Sequence, residues 1–162
     1  MTPDKKKNYL LFMVQMTMSI LVYTLLAVWY AAPYLGALAL PHALTIVLIP
    51  HAMRHLGMTI LSPSVVDPAV PKFASNPIAY GDLAAAIAAI AALVALRAGS
   101  GLAIPLVWIS VVVGVGDLVN AFIVATKGQI TNYQIGGFWY VPTFVVPLLF
   151  VTHGLTIWLL VR

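Results

Sequence analysis

The chain has 162 residues, of which 62% are hydrophobic and only 7% charged. A soluble domain carries about 25% charged residues to cover its surface, so this composition excludes a water-soluble fold and makes a lipid bilayer the expected solvent. The formal charge of +4 is spread in a topology-setting pattern, with Lys5, Lys6 and Lys7 clustered and the other basic residues single between apolar runs. That pattern argues against a phosphate-tracking patch and against a nucleic-acid partner.

The fold class expected is all-α, an integral membrane bundle of five transmembrane helices in a single domain over 1–162. The first apolar stretch, about 9–32, is longer than the roughly 7–15 residues of a signal-peptide core, so it is expected to be retained as a helix. It should end before Pro33. The second runs about 38–61, between Gly36 and the turn-rich Ser62-Pro63-Ser64. Residues 62–78, with Pro63, Pro68, Pro71 and Pro77, predict an aqueous loop. The third stretch covers about 79–98, and Gly99-Ser100-Gly101 should turn it tightly into the fourth, about 102–126. A short polar loop ending in Gly136-Gly137 leads to the fifth, about 138–161. Each stretch has near the 20 residues needed to cross about 30 Å of hydrocarbon, and in lipid such segments must be helices.

Lys5, Lys6, Lys7, Arg54, Lys72 and Lys127 fall on one side of this arrangement, and Arg97 and Arg162 on the other. The positive-inside rule then places the N-terminus in the cytoplasm and the C-terminus in the periplasm. An alternative has four spans, with the proline-interrupted second stretch only re-entering the membrane.

Ionisable residues within such spans are expensive and therefore informative. His51, Arg54 and His55 share a face of about 100° on an α-helical second span. Asp117 and Asn120 are neighbours at i, i+3 on the fourth. Arg54 and Asp117 lie at similar depths, roughly 10 and 13 Å from the inner ends of their spans, and Asp82 sits near the inner start of the third. The expectation is a buried polar cluster of Arg54, Asp117, His51, His55 and Asn120, with Asp82 at its rim. A planar guanidinium suits pairing with a carboxylate. Such a pair serves either to lock helix packing or to form a ligand, ion or proton site.

His51 and His55 have metal-ligand spacing, but the Glu of a metalloprotease helix is missing and Arg54 between them repels a cation, so no metal site is expected. His42 lies 180° from His51 on an ideal helix. With His153 on the fifth span it is a candidate axial pair for b-type haem; hydrogen-bonded structural histidines are the simpler reading. With no cysteine in the chain, disulfides, thiolate metal sites and c-type haem fall away. Pro50 and Pro147 predict mid-span kinks, and Gly114, Gly116 and Ala121 predict close helix contacts.

The motifs His51-Ala52-Met53-Arg54-His55-Leu56-Gly57, Tyr80-Gly81-Asp82-Leu83, Asp117-Leu118-Val119-Asn120 and Trp139-Tyr140-Val141-Pro142-Thr143 resemble those of a group of small uncharacterised bacterial polytopic inner-membrane proteins. The resemblance spans most of the chain from the second stretch onward. It implies a bacterial inner membrane and assigns no catalytic residue. No nucleophile–base constellation, catalytic carboxylate pair or phosphate loop is visible. The leading expectation is thus a non-enzymatic accessory subunit or small-ligand-binding bundle, without a cofactor and associating with itself or another membrane protein. The alternatives are a proton- or ion-coupled transporter acting as an oligomer, and a haem-binding redox protein.

Overall fold

The computed structural model describes residues 3–162. Five helical segments, α1 (Asp4–Ala37), α2 (Leu40–Leu61), α3 (Lys72–Arg97), α4 (Ala103–Lys127) and α5 (Gly136–Val161), are each long and apolar enough to cross a membrane. Among the described residues there is no strand. The second segment is therefore as long and apolar as a full span requires, although proline divides it.

Proline shapes the helices differently from expectation. Pro33 does not end α1: a π-helical turn at Ala27–Ala31 precedes it, and Pro33 falls in the first turn of the continuing helix Ala32–Ala37. α5 repeats the device, with a π-helical turn at Val141–Val145 and Pro147 in the first turn of Val146–Val161. A widened turn re-registers the backbone, so proline's missing N–H falls where a donor is not needed. α3 starts at Lys72, several residues earlier than Ala79, because Pro71 flanks its start as a helix-compatible N-cap. Pro77 lies inside that helix, so the connecting loop shrinks to residues 62–71. This loop is tied down: the Asp67 N–H donates to Gln134 O at 2.8 Å, and Asp67 Oδ1 accepts from the Ala69 N–H at 2.8 Å.

α3 and α4 form the expected antiparallel hairpin, turned by Gly99 at φ +62°. α3 packs between α2 and α4, and α5 packs against α2, α4 and α1. The alanines of α3 supply the close approach, with Ala85, Ala86, Ala89 and Ala92 all at most 2% exposed. Two apolar clusters form. One, with Leu44, Leu48, Ala92, Val107 and Leu159, lies toward the Gly99 turn; the other, with Ile60, Val66, Ile78, Ile130 and Phe138, lies toward the 62–71 loop. α1 is peripheral. It is held by Trp139 Nε1 donating to Gln15 Oε1 at 2.6 Å and by edge-on aromatic contacts of Phe12 with Trp139 and Tyr23 with Phe144.

Candidate functional site

Between the two apolar clusters lies a layer of buried polar side chains contributed by α2, α3, α4 and α5. Its position on α2 follows from a change of helix winding downstream of Pro50. The α-helix Leu40–Ala52 contains that proline and gives way to a 3-10 helix over Met53–Leu61. With three residues per turn, every third residue eclipses the last, so Arg54, Gly57 and Ile60 form one buried stripe. His51, buried on the last α-helical turn, heads the same face.

Arg54 is the hub, and its side chain has no exposed surface. Nε donates to Asp82 Oδ1 at 2.9 Å, Nη1 to the Gly114 carbonyl at 2.9 Å, and Nη2 to Asp117 Oδ2. One guanidinium thus ties α2 to α3 and α4 at once. Both carboxylates are nearly buried, at 11% and 7% side-chain exposure. Asp82 is a full partner of the arginine rather than a residue at the rim. When both carboxylates are ionised they carry two negative charges against one positive, leaving a surplus of one.

Three glycines make room for this arrangement. A Cβ on Gly57 would overlap the Asp82 carboxylate, and one on Gly81 would overlap that of Asp117. At Gly114 a Cβ would lie 2.6 Å from His153 Nε2 and 3.1 Å from Arg54 Nη1. Gly116, expected at a close contact, faces open space.

α5 completes the layer with Thr152, His153 and Thr156, all buried. The Thr152 hydroxyl donates to Leu148 O at 2.9 Å and lies 3.0 Å from His51 Nε2. With the hydroxyl proton committed to the carbonyl, the tautomer of His51 is assigned with Nε2 donating to Thr152, which leaves a lone pair on Nδ1. The His51 and His153 rings pack with centroids 4.0 Å apart and planes tilted by 47°. Among the described residues, His51 Nδ1 and both ring nitrogens of His153 are buried without a hydrogen-bond partner. Buried polar atoms are normally satisfied. Three bare nitrogens beside a charged hub are therefore a departure from ordinary packing.

The sequence-predicted residues divide accordingly. Arg54, Asp117, His51 and Asp82 come together. His55 does not: the tighter 3-10 winding carries it off the Arg54 face, and it is exposed with Nδ1 3.1 Å from Ala52 O. Asn120 is also exposed; the buried face of α4 follows Val107, Val111, Gly114 and Leu118, and Asn120 falls well outside it. His42 is exposed near the start of α2, whereas His153 packs on His51. The proposed axial pair of His42 and His153 is therefore not assembled, and two rings at 4.0 Å leave no space for a macrocycle between them.

Sequence reasoning missed Thr152, Gly57 and Gly81 as parts of the centre, and joined His153 to the wrong histidine. Gly81 did carry a signal: a glycine beside the acidic residue of an otherwise alanine-rich helix costs about 1 kcal/mol relative to alanine.

The family described as Domain of unknown function (DUF8737) matches residues 11–161, and the chain belongs to that family. The match takes in every residue of the polar layer. No curated protein and no solved structure matches the chain.

Proposed function

We propose that this chain is a non-enzymatic, small-ligand-binding bundle of a bacterial inner membrane, N-terminus inside, whose buried centre binds one positive charge as a proton or a small monovalent cation. The observation that carries this reading is the ratio of charges at the hub: Asp82 and Asp117 share the single guanidinium of Arg54. In a low-dielectric interior an uncompensated charge is costly, and a bound cation or proton removes it. The rings of His51 and His153, whose nitrogens include three without a hydrogen-bond partner among the described residues, offer further acceptor positions for the same guest. Intramembrane carboxylates paired in this way commonly mark ion or proton sites.

The setting in a bilayer rests on the five apolar helices. The orientation rests on Lys5, Lys6, Lys7, Lys72 and Lys127 at one end of the bundle against Arg97 and Arg162 at the other. The same charge-binding centre suits an accessory subunit or, in an oligomer, a coupled transporter.

Potentiometric titration of the purified chain in detergent, with and without added sodium or potassium, tests the centre. The charged group in contact with both Asp82 and Asp117 is Arg54, and His51 and His153 pack beside that hub. The native chain is expected to bind one more proton or cation than Asp82→Asn, with the proton-bound form gaining as pH falls. Equal binding by the two proteins at every pH and salt composition would overturn the reading.

A further inference from the structure

The charged hub is not sealed on all sides. A groove of about 940 Å³ runs between α1 and α4, floored by α5 and the edge of α3. That volume lies within the range of small-molecule sites. Its wall is mostly apolar and aromatic, including Phe12, Met16, Phe122 and Phe150. Asp82 also lines it, and its side chain keeps 11% of its surface exposed. Asp82 is the acidic side chain of the lining among the described residues, and Lys5 stands at the opposite, N-terminal end of α1. The groove is loosely bounded on one side, because α1 is the least buried of the five helices.

We propose that this groove binds a lipophilic organic cation that enters sideways from the bilayer and places its charge against Asp82. This deepens the charge-binding reading above and rests on it. Charge complementarity selects the occupant. The hub presents a surplus negative charge at the one place where the groove reaches it. The rings of Phe12, Phe122 and Phe150 offer π-faces that attract a cation, and the flexible thioethers of Met13 and Met16 adapt to irregular apolar shapes. An anionic guest would meet Asp82 at the wall and, among the described lining residues, find its complementary charge at Lys5 on the rim.

Tetraphenylphosphonium and tetraphenylborate, which share a shape and differ in charge, test this by isothermal titration of the full chain in detergent micelles. The phosphonium is expected to bind saturably, one per chain, and the borate not. Asp82→Asn and the groove-filling Val119→Trp should each weaken the phosphonium by about tenfold or more. Asp67→Asn, a loop acid outside the groove, should leave it unchanged. Val119 is exposed on the groove wall, so its variant keeps the test alive where Asp82→Asn does not fold. Equal affinity for both ions, borate binding alone as for an anionic lipid, or phosphonium binding insensitive to Val119→Trp would overturn the proposal. The proton and cation count of the native chain is a separate measurement: if it still shows the bound charge while phosphonium fails to bind, the groove proposal alone falls.

Discussion

At Gly57, Gly81 and Gly114 the absence of a methyl group leaves room for Asp82, Asp117 and His153, each from a neighbouring helix, beside the Arg54 hub. Each of these glycines belongs to one helix and clears space for a polar group of another. The effect on stability should follow that geometry. Gly81→Ala would drive the Asp117 carboxylate away from Arg54 and leave buried charge unpaired, a loss of about 3 to 5 kcal/mol by analogy with broken buried pairs. Gly116→Ala, on the same scale of change but facing open space, should be neutral or gain up to about 1 kcal/mol from helix propensity. Thermal unfolding of both variants in detergent checks the contrast. Similar midpoints for the two would show that Gly81 does not shelter the ion pair.

Within α2, the change of winding after Pro50 decides which residues meet the hub. An uninterrupted α-helix would advance 100° per residue, and over the nine residues of Met53–Leu61 the faces of the two windings diverge steadily. The buried repeat Arg54, Gly57, Ile60 exists only in the tighter form. Pro50→Ala restores a backbone donor and favours the α-helix, yet should destabilise the fold by about 1 to 3 kcal/mol because Gly57 and Ile60 leave the packed face. Circular dichroism should show helix content kept or raised while the melting midpoint drops. A raised midpoint would mean that the 3-10 segment is not fixed by the proline. α1 and α5 use a different solution, a π-helical turn ahead of Pro33 and Pro147, so proline redirects these helices without ending them.

Across the whole bundle, the polar layer sits between two apolar clusters, and a single arginine joins three helices there. The arrangement acts as a register pin: sliding any one helix would break an ion pair in a medium that cannot hydrate the fragments. The two ends of the bundle differ in charge, and the proposed orientation makes a direct forecast. Because the native sequence holds no cysteine, single cysteines report cleanly. In intact cells a membrane-impermeant maleimide should label Ser100→Cys and leave Asn132→Cys unlabelled. The reverse pattern would invert the topology and place the lysine-rich end outside.

Hydrophobic content and span length were enough to give five apolar helices and the α3–α4 hairpin, because these depend on local composition and on a glycine turn that any neighbour would accept. The pairing of Arg54 with Asp117 was also legible, since few charges interrupt the apolar runs and two of them fall at matching depths. The rest needed the assembled bundle. His55 and Asn120 were assigned by ideal α-helical angles, and a change of winding or the true direction of a buried face moved each of them to the surface, while His42, on the face opposite His51, was joined to His153 by depth alone. The union of His51 with His153, and the space that Gly57 and Gly81 leave for carboxylates of other helices, are contacts between segments far apart in the chain. Periodicity describes one helix at a time; which faces meet is settled by the packing of all five.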